Sequence, residues 1–152
     1  MSTPEERIAE LGLTLPSDSP PLAAYVPAVR SGDLVFTAGQ LPRRDGELVA
    51  TGKVGAEVTP EVAAEAAAAC ALNALAAIKA EVPLEQVRRI VKLVVFVAST
   101  PDFTGQPGVA NGASELVGEV FGDAGVHARS AVGVAVLPLD VPVEVELVVE
   151  VG

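Results

Sequence analysis

The chain has 152 residues, about one domain's worth, and half of them are hydrophobic, which excludes a disordered or collagen-like chain. Aromatics are scarce (four Phe, one Tyr, no Trp), so Ala, Val, Leu and Ile must build the core. Ten basic against twenty acidic residues leave a formal charge of −10, which argues against nucleic acid and anionic membrane surfaces, since both need a cationic face.

Thr3, Pro4 and Glu6 form a capping box that predicts a helix ending before Gly12. The Pro-rich stretch 16–21 reads as a linker, so residues 1–20 are an N-terminal helical extension of a single domain spanning 1–152. Residues 25–30 and 34–38, separated by Ser31-Gly32-Asp33, predict a hairpin. Residues 43–55 read as a surface loop. Thr59 and Pro60 open the clearest helix, Ala-rich to Glu81 and stopped by Pro83. Its apolar stripe runs through Val62, Ala66, Ala69, Leu72, Ala76 and Lys79, widened by Leu75 and Ile78.

Residues 89–98 predict a strand with Val91, Leu93, Val95 and Val97 on one face and Ile90, Val94 and Phe96 on the other. Residues 108–121 predict a second long helix. The strands 129–137 and 143–151 are expected to pair as a hairpin across a short Pro-rich turn. The fold class is therefore α+β: a two-layer domain with a mixed sheet and two long helices on one face. Arg129, Ala131, Gly133 and Ala135 alternate with Ser130, Val132, Val134 and Val136. Taken as the solvent face, the first set is too small and apolar, as is the second face of strand 89–98. A further subunit covering the sheet is the expected remedy, with a folded-over N-terminal segment as the alternative.

The longest charge-free run, residues 66–78, falls short of the roughly 20 apolar residues of a spanning helix. The start MSTPEERIAE lacks the apolar stretch of a signal peptide. One Cys and one His exclude an internal disulfide and leave too few of the usual ligands for zinc. A reduced, cytoplasmic protein without metal is expected.

Arg129 is the first candidate for chemistry. Its planar fork beside Ala131 and Gly133 suits a carboxylate; position alone favours a surface or interface ion pair with one of the twenty acids. Glu144 and Glu146 lie on the polar face of the last strand, where solvated glutamates are the ordinary reading. Tyr25 reads as a packed aromatic at a strand start. Gly39 marks either a close backbone approach or a strand-ending turn. Asn111, near the start of the second long helix, suits capping or solvent contact. Cys70, among alanines, reads as a buried inert thiol. His127, with no Ser or Cys nearby in sequence, makes no triad and reads as a loop or pocket-wall residue.

Three segments together resemble the RidA/YjgF family. The first is Tyr25 with Val35-Phe36-Thr37-Ala38-Gly39-Gln40-Leu41-Pro42. The second is Ile90-Val91-Lys92-Leu93-Val94-Val95-Phe96-Val97 with Asp102-Phe103 and Asn111. The third and most specific is Ala128-Arg129-Ser130-Ala131-Val132-Gly133-Val134 through Leu137-Pro138 to Val143-Glu144-Val145-Glu146. The resemblance implies a chorismate-mutase-like fold, a homotrimer with three sites between subunits, and cofactor-free hydrolysis of reactive 2-imino acids to 2-keto acids and ammonia.

It implies that Arg129 holds the substrate carboxylate and that Glu144 helps position water. Tyr25, Gly39, Asn111 and Ala131 then line the pocket, Ala131 through its backbone carbonyl. Ala131 stands where Cys is usual, Ala23-Ala24 where Gly-Pro is usual, and His127 where Pro is common. With longer loops at 43–55 and 100–107 and an added N-terminal helix, these mark a divergent subgroup. The alternative from another class is a non-catalytic trimer that binds small carboxylates. Hairpin pairing of the last strands would set Ala135 opposite Glu144 and Arg129 roughly 20 Å away within one chain, so a shared site would need two chains.

Overall fold

The computed structural model describes residues 2–17 and 24–152. Most of the expected linker, and Ala23 of the Ala23-Ala24 pair, lie outside these residues. Helix α1 (Pro4–Glu10) has the expected capping box: Thr3 Oγ1 accepts from the Glu6 N–H, and the Glu6 carboxylate accepts from the Thr3 N–H. Ile8 is buried, Arg7 donates to the Val120 carbonyl at 3.2 Å, and Lys79 pairs with Glu5 at 3.1 Å. The extension is thus packed onto the domain.

Strands β1 (Ala28–Ser31) and β2 (Leu34–Thr37) form the expected hairpin. The 43–55 segment is more ordered than a surface loop. It holds a small hairpin, β3 (Arg43–Arg44) with β4 (Glu47–Leu48), and ends in Val54, which is fully buried and bridges to Val58 and Ser99. Helix α2 (Pro60–Glu81) starts on Thr59, whose hydroxyl accepts from the Val62 N–H. Strand β5 (Val87–Ala98), helix α3 (Gln106–Phe121), strand β6 (Ala128–Val134) and strand β7 (Val143–Val151) complete the chain.

The five-stranded sheet has the order β1-β2-β7-β5-β6, with β5 and β6 parallel and the other pairs antiparallel. It is the expected two-layer α+β arrangement, consistent with the chorismate-mutase-like fold. The inner face of the sheet packs with α2 and α3 into a core that includes Leu93, Val95, Val97, Val145 and Leu147. Gly112 lets the helices close up, because a Cβ there would overlap the backbone of Ala64. Helix α2 is buried on nearly its whole circumference, not along one stripe, because the sheet and α3 enclose it; Lys79 stays outside. Among the described residues α2 is also the helix long and apolar enough to cross a membrane. Two thirds of that apolar window is buried in this core.

Three expectations are corrected. First, β6 and β7 do not pair: β5 lies between them, and Glu144 stands opposite Phe96 where Ala135 was expected. A parallel β6 must enter the sheet beside β5 and leave from its far end. Residues 135–142 therefore carry the chain across the end of β5, from Val134 beside Ala98 to Val143 beside Val97, with Leu139 and Asp140 at positive φ. Second, the faces of β6 are the reverse of those assumed. Arg129, Ala131 and Gly133 pair with Leu93, Val95 and Val97 and so lie on the helix side. Val132 faces out and is 44% exposed. Third, Ile90 is in the core with Leu93, because bulges near Val87 and Val91 shift the alternation of β5.

Candidate functional site

The predicted residues fall into two clusters on opposite faces of the sheet. The first lies between β6 and α3. Asn111 and Ser114 are three residues apart in α3 and so share one face of the helix. The Arg129 Nη1 donates to Asn111 Oδ1 at 2.7 Å and to Ser114 Oγ at 3.1 Å. Asn111 is exposed, as a solvent contact would be, and its Oδ1 serves Arg129 and not the helix cap, which is Gly105. His127 extends the cluster: its Nδ1 lies 2.6 Å from the Gly125 carbonyl and its Nε2 2.9 Å from Ser114 Oγ. A carbonyl only accepts, so Nδ1 donates, and the neutral ring then accepts the Ser114 hydroxyl at Nε2. The sequence reading missed Ser114 and left His127 without a serine partner. The Asn111/Ser114 spacing was visible in the sequence, but not which strand that helix face meets.

Ala131 is half-buried on the helix side, as the small wall beside Arg129 requires. Further along β6, Gly133 borders an open cavity of about 250 Å³ with Ser99, Phe103 and Gln106. The Gln106 amide donates to Ser99 Oγ and to the Phe103 carbonyl.

The second cluster is on the outer face, around Glu144. Between the pairs Phe36–Val148 and Gln40–Val145, the 36–40 segment carries one more residue than β7. The extra length bulges outward, and the Thr37 hydroxyl takes over the Leu147 N–H at 3.0 Å. This places Gly39 directly on the Glu144 carboxyl, which occupies the space a Cβ would need. Gly39 is therefore a close-approach glycine. Burial pushes the Glu144 carboxyl above its ordinary range, and the charge of Glu146, two residues on along the same face, adds to it. Tyr25 is 59% exposed beside the start of β1 and packs into neither cluster. Cys70 is buried under β7, and burial, with Glu144 adding, raises its thiol well above the usual value, in keeping with an inert role.

Arg129 is level with Leu93 and Glu144 with Phe96, on either side of β5. Two strand spacings across and three residues along put their Cα atoms about 14 Å apart, with side chains on opposite faces. Within one chain they do not meet. Among the described residues no three His, Cys, Asp or Glu side chains gather where they could hold a metal.

The chain belongs to the endoribonuclease L-PSP family, whose model matches residues 16–151, and thereby to the RidA/YjgF family that its motifs resemble. Protein TCP17 of Trypanosoma cruzi is 46% identical over 145 residues, 94% of this chain and 91% of that protein. The crystal structure of Atu1372 from Agrobacterium tumefaciens, described as of unknown function, is 45% identical; the match covers 99% of this chain and 94% of that one at a TM-score of 0.93. Escherichia coli TdcF, solved with bound serine, is 28% identical over 90% of this chain and 93% of its own at a TM-score of 0.60. The drop from 0.93 to 0.60 fits a divergent subgroup.

Proposed function

We propose that the chain is a cofactor-free hydrolase of small reactive 2-imino acids, working as a homotrimer whose sites lie between subunits. The observation that carries this reading is the state of Arg129. Its Nη1 hydrogens are held by Asn111 and Ser114, which leaves the Nε–Nη2 edge for a carboxylate beside the small side of β6. The serine bound to TdcF is a ligand with such a carboxylate.

An imine carbon is already electrophilic, so positioning does most of the work. Arg129 holds the carboxylate, and Glu144 of a neighbouring copy supplies the proton transfers. Its raised carboxyl can give a proton to the imine nitrogen and then, as carboxylate, take one from the attacking water. Water adds to C2, Glu144 passes a proton from the carbinolamine hydroxyl to its nitrogen, and the C2–N bond breaks to release ammonia and a 2-keto acid. Ala131 contributes its backbone carbonyl to the water, with Tyr25 at the pocket rim. RNA cleavage, which the family model's description names, would need a cationic track that a chain of charge −10 does not offer.

The separation of Arg129 from Glu144 also supports a second reading, a trimer that only binds small carboxylates. One assay separates the two. 2-Iminopropanoate is generated by an amino-acid oxidase, and keto-acid release is followed with and without the protein. Acceleration over the spontaneous rate supports the hydrolase; the spontaneous rate unchanged, with carboxylate binding retained, leaves the binder.

A further inference from the structure

We propose that Ser114 and His127 are positioning residues that hold Arg129 so that only its Nε–Nη2 edge is offered to a ligand; this rests on the carboxylate-clamp reading of Arg129. A guanidinium has five N–H hydrogens. Both on Nη1 are used, one by Asn111 Oδ1 and one by Ser114 Oγ. Among the described residues the Nε hydrogen and the two on Nη2 have no partner. The Nε–H and one Nη2–H run parallel, at the spacing of two carboxylate oxygens.

Ser114 alone would not impose this arrangement, because a free hydroxyl can turn its own hydrogen toward Arg129. His127 prevents that. Its Nδ1 hydrogen goes to the Gly125 carbonyl at 2.6 Å, so the neutral ring presents Nε2 as an acceptor, 2.9 Å from Ser114 Oγ. The Ser114 hydrogen is drawn to His127, and the oxygen's lone pairs are left for Arg129. Gly125 is itself fixed, since a Cβ there would meet the Val117 carbonyl of α3. A hydrogen-bond chain thus runs from a buried turn through His127 and Ser114 to the arginine. Arginine is a flexible side chain, and holding it in its binding rotamer before the ligand arrives raises affinity more than it changes chemistry.

The test combines binding of 2-oxobutanoate, a keto acid of the expected product class, by titration calorimetry with kcat and KM for 2-iminopropanoate hydrolysis. Ser114→Ala is expected to weaken 2-oxobutanoate binding and raise KM by about 10-fold, with kcat within about twofold, as for loss of one charge-assisted hydrogen bond. Its melting midpoint should hold or rise, because Ala is the better helix former, so the affinity loss is not a folding defect. Ser114→Thr keeps the hydroxyl and should recover most of the affinity. His127→Phe should match Ser114→Ala, and the double variant should be no worse than either, since they act as one chain. If both single variants bind 2-oxobutanoate like the wild type while Arg129→Ala does not, the positioning role is wrong and the clamp stands. A loss confined to kcat also overturns it. No binding by the wild type, or unchanged binding by Arg129→Ala, overturns the clamp reading and this inference with it.

Discussion

The groove between β6 and α3 and the outer face around Glu144 are two halves of different character. In the groove one chain sets the orientation: Asn111, Ser114 and His127 hold the Nη1 side of Arg129 through local helix spacing and one strand contact. On the outer face the chain stops short. Phe36, Val132 and Val29 are 43%, 44% and 53% exposed, and the Glu144 carboxyl, set against Gly39, has no cation beside it among the described residues. A single chain can therefore orient a cation by itself, but under the proposed function it needs a neighbour to bring a carboxyl to the same substrate.

That contrast can be broken in several ways, beginning with the outer face. Val132→Asp places a charge on the surface proposed to pack between copies. It should yield a folded monomer with no measurable acceleration of imine hydrolysis, checked by light scattering and keto-acid release. An active monomer would place the whole site in one chain. Arg129→Lys acts on the groove. Lysine keeps the charge but not the fork, so activity should fall about 10- to 150-fold with circular dichroism unchanged.

Gly39→Ala should disturb Glu144 alone, because the new methyl overlaps its carboxyl. A fall in kcat of about 10-fold at near-constant KM is expected, as for a displaced general acid–base. Co-expressing Arg129→Ala with Glu144→Ala sharpens the comparison. If each site takes Arg129 from one copy and Glu144 from the next, about a quarter of the sites in random trimers are intact and activity returns in that proportion. Activity no higher than in the separate variants would rule out the shared site.

The smallest effect concerns stability. The Glu144 carboxyl is raised in the folded state, so in the window between the ordinary glutamate range and its raised value the folded protein holds more protons than the unfolded. Stability should fall as pH rises through that window and level off above it. Glu144→Gln should flatten this slope and slightly raise the melting midpoint at neutral pH, as read by thermal scans across pH.

Local signals were sufficient for the elements. The capping residues Thr3 and Thr59 and the stops at Pro83 and Gly122 act within a turn of chain, so the helices stand where the sequence places them. Gly39 was legible as a special position, but a close approach and a strand-ending turn look alike in sequence, and the Glu144 carboxyl against it decides for the approach. Ser114 was not legible, because its partners come from a strand and a turn beyond the helix. Nor was the side to which Arg129 points. Ala131 and Gly133 are small enough to fit either a crowded helix side or a covered outer face, so the alternation showed two faces without naming the inner one.

By itself, then, the sequence determined the helices and most strands, the α+β class and the family motifs, including Arg129 and Glu144. These depend on caps, periodicity and residue types, which are encoded over short distances. Only the tertiary structure decided that β5 separates β6 from β7, that Arg129 faces α3, and that Ser114 and His127 join it. Strand order is a choice among pairings that bury nearly the same apolar residues, and it is settled by the packing of the whole sheet against α2 and α3.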